Sequence, residues 1–377
     1  MPSPKIFKYD VLIDAGDLCD RKSEQEELLK RAKTKKHTIL FAPRRYGKTS
    51  LIKNVVGEAF SHLSGQHLVL FFDLMDVQSL ESIAKRFHHG ISLALAHRFP
   101  VKKLLSDVSA YLKGFSLQVD VDPATNQPSI SLAAKVREPK IELSNLIDAI
   151  KRLAHQYPTM LILDEFHDIT FVPEAEALFR GLLQELGETA VFILGSKRHL
   201  MTLMFQDAHS PLFHYGDETH LGPIPIKDWM AYFQERLAPR KIKIDEGALN
   251  SILTTLCDVP NAICEFGAWL VDNLKSETTL TVGLLRLQMD RLVENKQSYA
   301  YLLQGYTEKE CGVMSALAKQ QFTLEPQSEA ILKTIHASKS SVAKIIKKLM
   351  NRGLVEYETD KGYRLSDPLL GHYLATR

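Results

Sequence analysis

The sequence predicts an α/β protein whose parallel sheet is followed by a helical lid and a winged helix-turn-helix domain. Three observations predict this order. Short apolar runs separated by long helical patterns fill the first part of the chain, and a Gly-Lys-Thr turn follows the first run. The C-terminal part carries three helical patterns and then two short strand patterns. We therefore expect the sheet domain in residues 1–225, the lid in 226–303 and the winged helix in 304–377.

The parallel sheet is predicted from apolar runs rich in Val, Ile, Leu and Phe. They lie at residues 38–41, 68–72, 160–163 and 191–194, with a weaker fifth run near 219–224. Continuous apolar runs are typical of strands buried on both faces, because βαβ crossovers place helices over each side of the sheet. Five strands are therefore expected.

A β-hairpin is predicted as an insertion between the second and third of these strands. Apolar and polar residues alternate over 115–121 and again over 130–132, around the turn-rich stretch 122–128, DPATNQP. This pattern is typical of an exposed hairpin. The hairpin is either a partner contact or a decoration of the fold.

The remainder of the chain is predicted to be mostly helical. Amphipathic segments at 229–237, 262–273 and 282–294 form the expected lid. Beyond residue 307, three helical patterns precede two short strands within 354–365, which meet at the turn ETDKG. Three helices followed by a hairpin indicate a winged helix.

Composition excludes several classes of protein. A net charge of +2 on 377 residues provides no global field for nucleic acid or membrane, so any basic site must be local. Cys19, Cys257, Cys264 and Cys311 lack metal-ligand spacing and are expected to be free thiols. No signal peptide and no apolar run of about 20 residues is found, so we expect a cytoplasmic protein without membrane contact.

A phosphate-binding loop is predicted where the first strand gives way to a helix, in the stretch APRRYGKT. Backbone N–H groups there would face the phosphates, Lys48 would bind the β and γ oxygens, and the Thr49 hydroxyl would ligate Mg²⁺. Ala42 replaces the first glycine of the motif, at a cost only if that position requires positive φ. The predicted ATP-binding residues are Ala42, Pro43, Arg44, Arg45, Tyr46, Gly47, Lys48, Thr49 and Ser50.

The second part of the predicted site is the apolar stretch TMLILDE, which ends in Asp164 and Glu165. Acidic residues at the carboxyl end of a parallel strand are expected beside the phosphate-binding loop. Asp164 is predicted to hold Mg²⁺ through its water shell. Glu165 is predicted to position or deprotonate the attacking water in phosphoryl transfer.

The fourth strand pattern ends at Ser196, which has two interpretations. Its hydroxyl contacts the γ-phosphate or the attacking water, or it caps the next helix. Arg198 and Arg180 are candidates for an arginine finger, in cis or from a neighbouring subunit.

With these motifs the chain resembles the archaeal-type ATPase family, a branch of the AAA+ and STAND group of P-loop NTPases, over nearly its whole length. Arg21 and Glu24 stand in the family's order before the first helix. Arg44 and Arg45 match the doubled arginine of its P-loop, and residues 362–374, GYRLSDPLLGHYL, match the end of its winged helix. The resemblance implies an AAA+-like core of the ASCE type and the binding and hydrolysis of ATP with Mg²⁺.

Two further positions extend the resemblance and one departs from it. Gly195 and Ser196 match the pair after the family's fourth strand, and Pro260 stands where the family carries a proline near the adenine. A proline in the first turn of a helix would also explain Pro260. The family's arginine after the PLF segment is replaced by His214 and Tyr215, which leaves the sensor arginine unassigned.

The partner of the winged helix remains open at this stage. In one hypothesis the helix over 338–352 binds double-stranded DNA through Lys344, Lys347 and Lys348, opposite an apolar stripe that faces the core. In the alternative, a STAND-type signalling switch packs the winged helix on the ATPase core and releases a regulatory protein when ATP replaces ADP. A nucleotide-binding scaffold with negligible turnover is a third hypothesis, and assembly into a homo-oligomer stays open.

Overall fold

The computed structural model describes residues 5–64, 67–100, 103, 108–112, 114–121, 128–134, 138–358 and 361–377. These residues belong to two units. We call the unit of residues 22–42 and 48–221 the sheet unit. The other, which we call the C-terminal unit, comprises residues up to 21, residues 43–47 and residues 222–377. The tip of the predicted phosphate-binding loop is thus grouped with the C-terminal residues.

The sheet unit contains a five-stranded parallel sheet in the order β2-β5-β6-β1-β7 and a separate antiparallel pair, β3-β4. Every residue of β5 and β6 is buried, as expected for strands covered on both faces. The predicted parallel sheet is confirmed, with its fifth strand a few residues earlier than expected. The strands are β1 (Thr38–Phe41), β2 (Leu68–Asp73), β3 (Phe115–Val121), β4 (Pro128–Ala134), β5 (Thr159–Asp164), β6 (Ala190–Gly195) and β7 (Asp217–His220).

Helices pack against this sheet at short range. A capping box formed by Ser79 and Ser82 begins α3. A Cβ atom at Gly90 would lie 2.4 Å from the Phe72 ring, so glycine lets α3 approach β2 closely. A π-helical segment, Ser50–Gly57, precedes α2. The helices are α1 (Lys22–Lys33), α2 (Glu58–Ser61), α3 (Leu80–Arg98), α4 (Pro139–Gln156), α5 (Ala175–Gln184) and α6 (Arg198–Gln206).

The predicted hairpin is present as β3 and β4, paired in antiparallel register from Phe115 with Ala134 to Val121 with Pro128. The side chains of Phe115 and Leu132 are buried in the core of the sheet unit. The hairpin therefore has a buried side, and the expectation of an exposed insertion does not hold for these two residues. Its loop, 122–127, lies outside the described residues.

The C-terminal unit begins with helices that enclose an aromatic core. Phe7 packs directly on Gly267, whose missing side chain leaves room for the ring, and lies 4.9 Å from Phe233, measured between ring centroids. Trp229 and Phe266 are also fully buried. The amphipathic stretches predicted for the lid are helical. These helices are α7 (Ile226–Leu237), α8 (Glu246–Thr255), α9 (Pro260–Asn273), α10 (Val282–Asn295) and α11 (Gln297–Gln304).

The last part of the chain folds as the predicted winged helix. A capping box formed by Thr307 and Glu310 begins the first of its helices. The wing is an antiparallel hairpin in which Val355 pairs with Leu365. The elements are α12 (Glu308–Gln320), α13 (Glu329–Ile335), α14 (Lys339–Asn351), β8 (Val355–Glu358), β9 (Gly362–Leu365) and α15 (Pro368–Ala375).

Two expectations from composition can be compared with the structure. All four cysteines are free, and Cys19 and Cys264 are buried. Among the described residues, no helix combines the length and the apolar character that crossing a membrane requires.

Candidate functional site

A cluster of polar side chains lies at the carboxyl end of β5 in the sheet unit, and we call it the strand-end cluster. It consists of Lys48, Thr49, Asp164, Glu165 and Ser196. The Thr49 hydroxyl donates to Asp164 Oδ2 over 2.5 Å, and Lys48 Nζ donates to Glu165 Oε1 over 2.5 Å. Lys48 Nζ also lies 3.4 Å from Asp164 Oδ1. The predicted lysine, hydroxyl and carboxylates therefore meet at one point.

The Glu165 side chain is held from several directions. Its backbone has a left-handed φ of 49°, a conformation that non-glycine residues adopt mainly where the surroundings enforce it. Ser196 Oγ donates to Glu165 Oε2 over 2.8 Å, and the next helix takes Lys197, not Ser196, as its N-cap. The structure therefore does not support Ser196 as the helix cap, and its contact with the γ-phosphate or the attacking water stays a prediction. Burial raises the pKa of Glu165, but the Lys48 ammonium outweighs it and lowers the pKa to about 2.

Sequence reasoning missed three residues next to this cluster. His167 lies 3.5 Å from Glu165 Oε2 through Nδ1 and 3.2 Å from Asp168 Oδ1 through Nε2. Lys197 Nζ donates to the same Asp168 oxygen over 2.8 Å. The 3₁₀ turn Phe166–Phe171 brings His167 and Asp168 back towards the strand end. The sequence DEFHD could have indicated His167 and Asp168, because a turn directly after a strand brings the following residues back near the strand end.

The tip of the phosphate-binding loop contacts the winged helix within the C-terminal unit. The Arg45 Nη1 atom donates to Asp367 Oδ2 over 2.8 Å, and that oxygen also accepts from Tyr299 over 3.1 Å. A Cβ atom at Gly353 would lie 2.1 Å from Arg44 Nη1, so the Arg44 guanidinium packs directly on this glycine. Gly353 follows α14 with a φ of 71°, which also favours glycine. Two consecutive loop arginines thus have partners in the winged helix.

The wing adds a buried carboxylate to this contact. Glu356 on β8 accepts a hydrogen bond from the backbone N–H of Arg44 and pairs with the guanidinium of Arg364 on β9. Arg364 Nε donates to Glu358 over 2.8 Å. Burial raises the pKa of Glu356 to about 7, despite the attraction of Arg364. We call the loop residues and the winged-helix residues at this contact the loop-tip cluster. It comprises Arg44, Arg45 and the buried Tyr46 from the loop, and Gly353, Glu356, Arg364 and Asp367 from the winged helix.

For several predicted binding residues, the backbone conformation or the hydrogen bonds explain why that residue type occupies the position. Ala42 does not adopt positive φ, so its replacement of glycine carries no backbone strain, whereas Gly47 has a φ of 78°. Pro260 begins α9, where the following N–H, that of Asn261, donates to the Arg45 carbonyl over 3.3 Å. Arg21 is buried and donates from Nη2 to the Gly222 carbonyl over 2.7 Å.

The remaining predicted residues are placed as follows. Ser50 is buried at the start of the π-helical segment. Pro43 lies at the loop tip in the C-terminal unit. Arg198 is exposed on α6 and Arg180 is half-buried on α5. The role of either arginine as a finger stays a prediction.

The three lysines predicted for nucleic acid lie on α14. Its apolar stripe is buried at Val342 and Leu349. Lys344 and Lys347 are exposed. Lys348 is exposed too, and its Nζ forms an ion pair of 2.5 Å with Glu310 of α12. The binding of nucleic acid by these three lysines stays a prediction.

The donor set of the strand-end cluster fits a magnesium nucleotide. Mg²⁺ prefers oxygen ligands and is commonly held by one or two protein oxygens together with substrate phosphates. The Thr49 hydroxyl and the Asp164 carboxylate supply adjacent oxygens, and Lys48 supplies a cation suited to phosphate. Asp164 and Lys48 are both buried, so their charges are weakly screened.

Comparison with known proteins agrees with this fold. Residues 297–376 match a family model described as "Probable winged helix domain". The Walker-type ATPase of Pyrococcus abyssi is 16% identical with a TM-score of 0.64, over 98% of this chain and 99% of that one. The ORC1 protein of Aeropyrum pernix, solved in complex with DNA, is 12% identical with a TM-score of 0.51, over 98% of this chain and 95% of that one.

The ADP form of the ORC2 protein of Aeropyrum pernix is also 12% identical, with a TM-score of 0.50 over 98% of this chain and 97% of that one. A search of the curated proteins finds no match. At these identities the likeness establishes the fold. The chain has the parallel-sheet fold of AAA+-like P-loop ATPases with a C-terminal winged helix domain, and the fold predicted from its sequence is confirmed.

Proposed function

We propose that this protein binds Mg-ATP through residues 42–49, hydrolyses it, and uses its nucleotide state to gate the C-terminal winged helix. We also propose the functional division into an ATPase core at 1–225, a lid at 226–303 and a winged helix at 304–377. The strand-end cluster supports the chemistry and the loop-tip cluster supports the gating. The contact between Arg45 and Asp367 is the observation on which the gating proposal rests.

The proposed chemistry uses each residue of the strand-end cluster. Lys48 would bind phosphate oxygens, and Thr49 and Asp164 would hold the metal, which when bound supplies neutralisation of phosphate charge. Glu165, anionic because its pKa is lowered to about 2, would orient the attacking water and accept its proton. Ser196 would keep the Glu165 carboxylate in place through the 2.8 Å hydrogen bond.

The proposed gating of the winged helix by nucleotide is argued from the charged groups at the tip of the loop. Glu356 and Asp367 place two carboxyl groups of the winged helix domain against a loop whose expected ligand is a polyanion. A triphosphate and these carboxylates compete for the same positive end of the loop. Binding of ATP is therefore expected to weaken the contact, and by reciprocity the contact weakens binding of ATP.

Replacement of the P-loop lysine tests the nucleotide site. Lys48→Ala should abolish tight Mg-ATP binding, measured by calorimetry, because it removes the cation predicted to bind the β and γ phosphates. The change also leaves Asp164 and Glu165 without a cation, so Thr49→Val, which keeps the volume and the charges, is the second variant. It should weaken Mg-ATP more than metal-free ATP. Unchanged affinity in both variants would contradict the P-loop assignment.

DNA binding is a second candidate function, favoured by the exposure of Lys344 and Lys347 on one face of α14. The similar ORC1 protein of Aeropyrum pernix was solved in complex with DNA. A regulatory protein as the partner of a signalling switch is the alternative. Duplex DNA that stimulates ATP turnover would favour the first, and a nucleotide-dependent change in oligomer size without DNA binding would favour the second.

A further inference from the structure

His167 is a buried imidazole placed between two carboxylates. Its side chain is 1% exposed, and neither ring nitrogen has a hydrogen-bond partner among the described residues. Leaving a buried polar group without a hydrogen bond costs about 1–3 kcal/mol, so such groups call for an explanation. A carboxylate oxygen lies near each ring nitrogen: Glu165 Oε2 is 3.5 Å from Nδ1, and Asp168 Oδ1 is 3.2 Å from Nε2.

Each of the two carboxylates has a donor on both oxygens here, and they differ only in that one donor to Glu165, Lys48, is expected to bind phosphate. Asp168 accepts from Lys197 Nζ through Oδ1 over 2.8 Å and from the Asp76 backbone N–H through Oδ2 over 2.9 Å. Glu165 Oε2 accepts from the Ser196 hydroxyl. Burial lowers the pKa of His167 to about 4, so the imidazole is neutral at pH 7 and carries one N–H. We expect this proton on Nδ1, because that nitrogen faces Glu165 and could donate to it.

The partners of Glu165 change in the proposed reaction. Lys48, which now pairs with Glu165 Oε1, is expected to bind phosphate. Glu165 Oε2 would then keep its hydrogen bond from Ser196 and its neighbour His167. A shift of the carboxylate by about half an ångström would bring the 3.5 Å contact to hydrogen-bond length. His167 itself has little freedom, because Phe166 beside it is buried against Phe179 and Phe205.

We propose that His167 is a positioning residue, which donates from Nδ1 to Glu165 and fixes that carboxylate towards the attacking water. This inference rests on the proposed ATP hydrolysis and names a residue that the P-loop and DE motifs do not include. His167 reaches no phosphate in this proposal. Its effect on turnover passes through the orientation of Glu165.

Three substitutions separate this role from packing. His167→Asn places an amide where Nδ1 lies, His167→Gln places one where Nε2 lies, and His167→Phe keeps the ring volume without either nitrogen. We therefore expect His167→Phe and His167→Gln to lower kcat by about 10- to 100-fold, because small misplacements of catalytic groups have effects of this size. We expect His167→Asn to stay within about threefold of wild type. Mg-ATP affinity by calorimetry should be alike in all four proteins.

A control and a second readout make the test specific. His88→Phe removes another imidazole, half-buried, that pairs with a carboxylate, that of Glu142. It should lower the unfolding midpoint as His167→Phe does and leave kcat unchanged. Imidazole ¹⁵N shifts of His167 report the tautomer without any turnover, and the Nδ1–H form is expected.

An Nε2–H tautomer, or wild-type turnover in His167→Phe, would overturn the proposal while leaving ATP hydrolysis intact. Rescue by Gln instead of Asn would assign the effect to Asp168 and also contradict the proposal. A wild-type protein that turns over no ATP, or a Glu165→Gln variant as active as wild type, would instead refute the proposed function and this inference with it.

Discussion

The strand-end cluster and the loop-tip cluster both centre on the phosphate-binding loop, yet they differ in where their partners come from. In the first, Lys48 meets carboxylates at the carboxyl end of a parallel strand, where open α/β sheets bind their ligands. In the second, Arg45 meets Asp367, which is 322 positions away in the sequence. The predicted chemistry is thus encoded in short motifs, whereas the proposed gating rests on a contact with a residue far away in the sequence.

The largest expected effect belongs to the strand-end cluster. Glu165→Gln should leave Mg-ATP affinity nearly unchanged and slow hydrolysis by about a hundredfold or more, since a positioned general base contributes 10²- to 10⁴-fold. Single-turnover measurements of phosphate release check this. Asp164→Asn is the matched variant at the neighbouring carboxylate and should instead raise the Mg²⁺ concentration required. Ordinary turnover of Glu165→Gln would show that another residue orients the water.

The same contrast explains how much could be predicted from the sequence. The parallel sheet, the winged helix and the five residues of the strand-end cluster were identified, because apolar periodicity and short motifs encode them locally. The contacts of Asp367 and Glu356 were not, since the motif at 362–374 does not name the partner of Asp367, Glu356 lies in no motif, and both contacts depend on tertiary packing. The ion pair of Lys348 with Glu310 was not predicted either, since a helix face does not reveal which residue of another helix lies beside it.

The next effect concerns stability and belongs to Glu356 in the loop-tip cluster. Burial raises its pKa from 4.5 to about 7, so the folded protein holds a proton there that the unfolded chain has released. The contribution of Glu356 to stability is therefore full below pH 4.5 and is lost as pH rises to about 7.

Glu356→Gln stays neutral at every pH and should remove this dependence. The fall in the free energy of unfolding between pH 5 and pH 8 should shrink by about 1–3 kcal/mol relative to wild type. Urea unfolding at both pH values measures it. An identical fall in both proteins would mean that Glu356 titrates normally and is not held in a buried contact with the loop.

A smaller effect is expected at α14 if its exposed face binds DNA. Lys344→Ala with Lys347→Ala should flatten the dependence of log affinity on log salt by about two units, one for each phosphate contact. Lys348→Ala is the control and should leave the slope unchanged, because that ammonium already pairs with Glu310. Fluorescence anisotropy of a labelled duplex at several salt concentrations measures this. Absence of wild-type binding at low salt would favour the protein-partner alternative.

The smallest expected effect isolates the contact between the loop and the winged helix. Asp367 uses its two oxygens differently: Oδ1 accepts from the backbone N–H groups of Leu369 and Leu370 at the start of α15, and Oδ2 accepts from Arg45. In Asp367→Asn the amide oxygen can keep the cap, since asparagine is a good N-cap residue. The amide nitrogen cannot accept from Arg45. Asp367→Asn therefore removes the acceptor that Arg45 and Tyr299 share, and it preserves the helix cap.

If the carboxylates of the winged helix compete with phosphate, Asp367→Asn should bind Mg-ATP about fivefold more tightly, a coupling of roughly 1 kcal/mol. Asp290→Asn is the matched control, because Asp290 also contacts α15, through His372 Nε2 over 2.7 Å, and the change removes the same charge. Calorimetry should show wild-type affinity for this control. An equal gain in both variants would indicate a general charge effect, and no gain in Asp367→Asn would confine Asp367 to its capping role and remove the support for gating.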